Sequence, residues 1–237
     1  MKKNNSYNLY WFIIKIARSN RILRFFVIRG SVVFYTMFRG GKTFIFNKRK
    51  YRYFYHAYNQ TTASERIVEI PIGYEIVKKY KNKKILEVGN VLSHYFKIDK
   101  DVLDKYEKGN NVINEDVVDF KSKYKYDLII SISTMEHVGW TYGEKRDSGK
   151  LLRGLNNLIK FVNPGGQMVV TFPLYYRKDL SELIINNKLP FQNEYFMVRT
   201  SYLNEWKQVS KKEAISGKSY DKFFANANTL YIGVFNK

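Results

Sequence analysis

The chain contains no cysteine. That excludes disulfide cross-links, thiolate metal sites and a cysteine nucleophile. Its three histidines, His56, His94 and His137, are too few and too scattered for a histidine-built metal centre, so no metal is expected. Proline is scarce at four residues, and neither a Pro-rich linker nor an internal repeat divides the chain. Acidic residues are missing from the first part of the sequence. None precedes Glu65, whereas that stretch carries Lys2, Lys3, Lys15, Arg18, Arg21, Arg24, Arg29, Arg39, Lys42, Lys48, Arg49, Lys50 and Arg52. Long apolar runs are missing too: charges interrupt every one well short of the roughly 18 residues that a spanning helix needs. With Lys15 and Arg18 inside its apolar part and no small-residue cleavage site after it, the N-terminal segment does not read as a signal peptide.

What is present points to a packed domain. A hydrophobic content of 45% over 237 residues suffices for a real core, and the length suits one large α/β domain with an appendage. The net charge of +20 suggests an anionic partner, whether phospholipid headgroups, a nucleic acid or a phosphorylated substrate. Abundant Lys, Asn, Ile, Tyr and Phe throughout account for many of the lysines, but not for an arginine-bearing stretch without acids.

The most informative run is Lys84-Ile85-Leu86-Glu87-Val88-Gly89-Asn90, a short apolar strand ending at Glu-x-Gly. Glycine there lets backbone approach a ligand at the carboxyl end of a strand, where open α/β sheets bind theirs. Asp101-Val102-Leu103-Asp104 and Val112 to Phe120 repeat the apolar-then-acidic arrangement. Tyr126 to Ser133 is an apolar strand with a small polar end, followed by Thr134-Met135-Glu136-His137-Val138-Gly139. Leu151, Leu152, Leu155, Leu158, Ile159 and Val162 have helical spacing, Asn163-Pro164-Gly165-Gly166 is expected to break that helix and turn, and Gln167 to Pro173 is the next strand. Strands alternating with helices or loops predict a mostly parallel sheet with its site along one rim.

In this order, Leu86-Glu87-Val88-Gly89, Asp104, Asp116, the Tyr126 to Ser131 strand, the Glu136-His137-Val138 turn and Pro164-Gly165-Gly166 resemble the core of a class I S-adenosylmethionine-dependent methyltransferase, from Ile85 to Pro173. The resemblance implies a Rossmann-like, doubly wound α/β sheet whose last strand is antiparallel, and S-adenosylmethionine as cofactor. By the same resemblance Glu87, Gly89 and Asn90 line the methionine end, Asp104 takes the ribose hydroxyls and Asp116 the adenine amino group. Val117, Ser131, Ser133 and Glu136 complete the cofactor set. A carboxylate suits a ribose because its two oxygens accept two hydroxyls. Two departures stand out: Val91 and Ser93 occupy the places of the second and third glycines of the family's loop. The interval from Gly89 to Asp104 also leaves room only for a one- or two-turn helix near Ser93.

Methyl transfer at a sulfonium asks the protein to align an acceptor and remove its proton. His137 and His94 are the candidate bases. Tyr175 and Tyr176, with Arg66 and Glu69 near the expected mouth, are candidate acceptor contacts. No Asn/Asp-Pro-Pro-aromatic run follows the Tyr126 to Ser133 strand, which makes a base or amide nitrogen a less natural acceptor.

The domain boundary is expected near residue 62, with 1–62 a basic, aromatic-rich extension and 63–237 the methyltransferase-like domain. Over residues 8–29 a helical projection gathers Leu9, Phe12, Ile13, Ile16, Leu23 and Val27 on one side and Lys15, Arg18, Arg21 and Arg29 opposite, with Trp11 and Ile14 on the basic side. Such a helix suits an anionic membrane surface or a dock on the catalytic domain. A hairpin is expected about Asn47-Lys48, a cap at Ser64, a break at Pro71, and a helix over Tyr74 to Tyr80. Leu180 to Leu189 suits a helix, and Glu194 to Thr200, Glu205 to Val209 and Thr229 to Phe235 read as strands. Three functions remain open: a cytoplasmic enzyme, peripheral on the inner membrane face, that methylates a small or carbohydrate acceptor such as a cell-surface glycan intermediate; an RNA methyltransferase using its basic arm; or a non-catalytic scaffold.

Overall fold

The computed structural model describes residues 21–109, 111–140, 143, 145–216, 220–221, 224 and 226–237. Helix α1 (Arg21–Arg39) leads into a hairpin of β1 (Thr43–Phe46) and β2 (Arg49–Arg52). Its two turn residues, Asn47 and Lys48, both have positive φ, the conformation that matches the twist of a two-residue hairpin. A 3₁₀ segment (Tyr58–Ala63) follows, then α2 (Arg66–Lys79). The part of the expected 8–29 helix before Arg21 lies outside the described residues. From Arg21 the helix continues past residue 29, taking in the apolar stretch to Phe38.

The main sheet contains β3 (Ile85–Val88), β4 (Asp101–Leu103), β5 (Val112–Ile113), β6 (Tyr126–Ile132), β7 (Val162–Pro173), β8 (Asn193–Arg199), β9 (Trp206–Val209) and β10 (Thr229–Asn236). Their spatial order is β5-β4-β3-β6-β7-β10-β8-β9. The pairs from β5 to β7 are parallel, and β10 runs antiparallel between β7 and β8. This is the strand order of the class I methyltransferase fold, with β9 as an added antiparallel edge. The direction of winding reverses between β3 and β6, and such a switch point opens a crevice at the carboxyl ends of the strands.

Alternation along the central strands sorts the core into two layers. Leu128, Ile130, Ile132 and Val169 pack on Ile67, Val68, Ile70 and Val77 of α2. Ile129, Met168, Val170 and Phe172 pack on α3 (Lys150–Lys160) and α4 (Lys178–Ile185) through Leu151, Leu155, Leu158, Leu180 and Ile184. A last short helix, α5 (Lys211–Ile215), begins at Ser210, whose hydroxyl caps the Glu213 N–H.

Two expected breaks take other forms. Pro71 lies inside α2 and does not interrupt it. The carbonyl that a prolyl nitrogen leaves unbonded is that of Ile67, and it accepts the Phe54 N–H at 3.1 Å instead. Asn163-Pro164-Gly165-Gly166 belongs to β7 as a bulge rather than a turn: pairing with β6 jumps from Tyr126–Val162 to Leu128–Gln167. The strand end is held by Gly165 N–H to the Lys237 carbonyl and Lys237 N–H to the Gly166 carbonyl.

The described part of the N-terminal extension shares a core with the sheet. Phe44, Phe46 and Tyr53 join the α2-side layer, the Tyr53 hydroxyl accepts the Trp206 N–H at 2.8 Å, and the Asn204 amide donates to the carbonyls of Thr61, Thr62 and Ser64.

Candidate functional site at the carboxyl ends of the parallel strands

A cavity of about 880 Å³ opens over the carboxyl ends of β3, β4 and β6. Val88, Leu103, Val117, Met135 and Val138 supply its apolar walls; Asp104, Glu107, Asp116, Lys105, Lys150 and Arg146 bring charge to it. Six of the residues singled out from sequence line it: Gly89, Asp104, Asp116, Val117, His137 and Tyr176.

Gly89 forms the sharp turn after β3. Its φ is +83°, and a Cβ there would lie 2.3 Å from Thr134 Oγ1, so both the turn and the approach of the post-β6 segment need a residue without a side chain. The loop beyond it is not a glycine cradle. Buried Glu87 organises it instead: Oε1 accepts the N–H groups of Val91 and Leu92 at 3.0 and 2.7 Å, and Oε2 meets buried Lys100 at 2.7 Å. Burial pushes the Glu87 carboxyl above its usual range, with Lys100 and the two N–H groups opposing that rise. Glu87 is therefore not among the lining residues; it acts on the cavity through the loop. Val91 is buried in the α2-side core, outside the cleft, and the loop continues as a single 3₁₀ turn, Leu92–His94.

Asp104 and Asp116 converge on the cavity from successive strand ends. Oδ1 of Asp104 accepts the N–H groups of Tyr106 and Glu107, both at 2.8 Å, closing a tight turn that brings Glu107 to the rim. Glu107 Oε1 in turn accepts the Asn90 amide at 2.5 Å. Asp116 has a feature the sequence did not disclose: its Oδ2 meets Lys150 at 2.6 Å and Lys105 at 3.1 Å. Burial favours a higher pKa for this carboxyl, but the two ammonium groups prevail and hold it below the usual range.

The segment after β6 rests on a buried polar knot. Ser133 has φ +35°. Its hydroxyl donates to Glu69 Oε1 at 2.5 Å, as the Thr171 hydroxyl does at 2.6 Å. Arg66 donates to the carbonyls of Ile132 and Ser133 at 2.8 and 3.1 Å and lies 3.4 Å from Glu69 Oε2. Burial alone would lower the Arg66 pKa, yet Glu69, Glu65 and Glu136 raise it, so the guanidinium stays charged. Arg66, Glu69 and Ser133 thus brace the rim from beneath and do not line the cavity. Ser131 is buried as well, donating to the Val88 carbonyl at 2.9 Å. On the other side fully buried Arg177 binds Asp179 with both arms and donates to the carbonyls of Glu136 and Val138 at 2.7 and 2.8 Å.

Held between these two arginines, Glu136 and His137 face different ways. His137 lines the cavity, with Nδ1 3.5 Å from the Tyr176 hydroxyl and Nε2 3.9 Å from Glu136 Oε1. Partial burial, and then the charges of Arg66 and Arg177, keep its pKa below the usual value, so the ring is neutral at pH 7. Glu136 is buried beside the knot, and its Oε2 has no hydrogen-bond partner among the described residues. Burial pushes its pKa well above the usual value, which its own backbone N–H and Arg66 only partly offset.

The remaining candidates lie elsewhere. His94 stacks on Tyr58 with centroids 4.3 Å apart and faces Glu107 Oε2 at 3.5 Å, outside the cavity wall. Tyr175 turns away, its hydroxyl donating to the Ile215 carbonyl at 2.8 Å. Sequence reasoning missed Lys105, Glu107, Thr134, Trp140, Arg146 and Lys150. Trp140 lines the cavity with the Arg146 guanidinium 4.0 Å over its ring. No local pattern marks Lys150, which is 34 positions from its partner Asp116.

Two outcomes test this geometry. Gly89→Ala is expected to lose about 2–4 kcal/mol in urea unfolding, from the left-handed backbone together with the clash at Thr134; wild-type stability would show that the turn tolerates a side chain. For Glu136, a folded-state pKa above the unfolded one means that its stability contribution is complete below the unfolded pKa and is lost as pH rises through the folded value. Wild-type protein should therefore lose stability from the ordinary carboxylate range toward neutral pH more steeply than Glu136→Gln. Parallel profiles would show that the Glu136 carboxyl titrates in the fold as it does in the unfolded chain.

No family model matches the chain. No curated protein matches it in sequence. Among solved structures it is similar to the N-methyltransferase NodS from Bradyrhizobium japonicum WM9 in complex with S-adenosyl-L-homocysteine, at 13% identity over 73% of this chain and 91% of that one, with a TM-score of 0.41. It is also similar to the sugar N-methyltransferase KedS8 from Streptoalloteichus sp ATCC 53650 (11% identity, 71% and 87% covered, TM-score 0.37). A third is an S-adenosylmethionine-dependent methyltransferase from Clostridium acetobutylicum ATCC 824 (13% identity, 68% and 88% covered, TM-score 0.34). The fold assignment stands on the strand order itself, with β10 inserted antiparallel between β7 and β8.

Proposed function

We propose that this protein is an S-adenosylmethionine-dependent methyltransferase acting on a small or carbohydrate acceptor, such as a cell-surface glycan intermediate. The observation that carries the reading is the convergence of the Gly89 turn, Asp104 and Asp116 on one cavity at the switch point of this sheet. The donor set fits an adenosyl group. Leu103, Val117, Met135 and Val138 form an apolar slot for a purine, Asp104 with Glu107 offers acceptor oxygens to ribose hydroxyls, and Asp116 offers one to an amino group in exchange for a lysine contact. Gly89 lines the cavity at the end of β3, where its backbone meets the amino-acid end.

When bound, this cofactor supplies an electrophilic methyl group on a sulfonium. The chain's own residues align the acceptor and take its proton. His137 is neutral, lines the cavity and accepts that proton. Tyr176 holds the ring from its Nδ1 side and presents an aromatic face at the rim, where Tyr220 meets it with centroids 5.3 Å apart. Aromatic faces beside polar groups suit the mixed surface of a sugar.

Calorimetric titration with S-adenosylmethionine tests the binding half. Asp104→Ala is expected to weaken affinity by about 1–3 kcal/mol, the usual consequence of removing one partner of a polar contact. No heat with wild-type protein at saturating ligand would favour a non-catalytic scaffold. His137→Ala is expected to retain wild-type cofactor affinity while losing about 10²–10⁴-fold in turnover, the range for a removed general base. Undiminished turnover would remove His137 from the chemistry.

A further inference from the structure

We propose that the outward face of α1, with the basic hairpin that follows it, docks on an anionic phospholipid bilayer. Among the described residues, three contacts that join the helix to the domain lie along one line. Ser31 Oγ shares a hydrogen bond with Thr62 Oγ1 at 2.8 Å, Tyr35 packs on Tyr55 with centroids 5.3 Å apart, and Arg39 pairs with Glu205 at 2.5 Å. These positions are four residues apart, so they share one face of a helix that advances about 100° per residue. Tyr35 is the helix's buried residue.

The opposite face carries the wrong chemistry for water. Phe26 is 65% exposed, Val33 56% and Met37 72%, with Phe34 and Phe38 on its flank at 46% and 70%. Monomeric soluble domains seldom leave such a contiguous apolar stripe in solvent. The charge around it is of one sign: every charged residue from Arg21 to Arg52 is a cation. Arg29 flanks the stripe and lies over the Phe25 ring at 4.6 Å, whereas Arg24 shares the side of Ser31 and Tyr35. Lys42, Lys48, Arg49, Lys50 and Arg52 of the hairpin segment are exposed, as is Ile45 between them.

That combination selects the occupant. A second copy seated on this face by two-fold symmetry would bring like charges together, which disfavours association. A nucleic acid would require cations at the centre of the face, whereas here they flank an apolar centre. An anionic bilayer satisfies both parts: apolar side chains enter the headgroup boundary while arginine and lysine stay among the phosphates. Among the described residues no helix is long and apolar enough to cross a membrane, so α1 lies along the surface. This proposal does not depend on the methyltransferase reading.

The test is flotation of the full chain with vesicles of phosphatidylcholine alone or mixed with phosphatidylglycerol, at low and high salt. Recovery on the mixed vesicles is expected to exceed recovery on neutral ones, to fall with salt, and to drop about tenfold when Phe26, Val33 and Met37 are all changed to Ser. The three positions are exposed, so the circular-dichroism spectrum should not change. Equal recovery on neutral vesicles, or undiminished recovery of the triple variant, would overturn the proposal. So would a salt-dependent complex with bulk RNA without vesicle binding, or a vesicle-free dimer that the same substitutions dissolve.

Discussion

The arrangement of the rim depends on one buried ion pair. Arg66 and Glu69, one turn apart at the start of α2, reach under the end of β6 and complete its hydrogen bonding, Arg66 at the carbonyls of Ile132 and Ser133 and Glu69 at the hydroxyls of Ser133 and Thr171. Ser133 sits in a left-handed conformation that L residues seldom adopt, and such strain persists only where the surroundings over-determine it. The knot provides that constraint and aims Thr134 to His137 at the cavity. Removing one member of such a buried pair would leave a charge uncompensated, a cost of about 3–5 kcal/mol, so the knot couples the stability of α2 to the shape of the rim.

A second buried pair, Glu87 with Lys100, organises the loop after β3 in place of additional glycines. A glycine loop leaves backbone N–H groups free for a ligand, whereas here two of them, from Val91 and Leu92, are directed at a carboxylate of the protein itself. The cavity is correspondingly built from side chains on its far wall. Lys105 and Lys150 converge on Asp116, and Arg146 stacks on Trp140, so this wall is more cationic than a bare purine slot requires. Stacking of guanidinium on indole also covers an aromatic face that would otherwise meet water.

Much of this architecture is legible in residue order. Buried parallel strands read as unbroken apolar runs, so β3, β6 and β7 stand out, and the Glu-x-Gly end of β3 locates the switch point. The hairpin about Asn47-Lys48 is similarly local, since its two positive-φ positions are a matter of turn chemistry. Pro71 was misleading because its tolerance depends on Phe54, seventeen positions upstream, whose N–H takes over the orphaned Ile67 carbonyl. Pro164-Gly165-Gly166 was misleading for a related reason: the bulge is held by Lys237 at the other end of the described chain.

What the sequence by itself determined is the class of fold, the place of the site along the chain and the acid-free, apolar character of the N-terminal part, because periodicity, turn residues and charge act locally. Which carboxylates face the cavity was decided only in three dimensions. Glu87, Glu69 and Glu136 are buried and braced or desolvated, whereas Asp104 and Asp116 reach the cleft, and nothing in their neighbours distinguishes the two groups. A carboxylate's role follows from which cation or N–H the packing brings within about 3 Å, and those partners are supplied by distant segments.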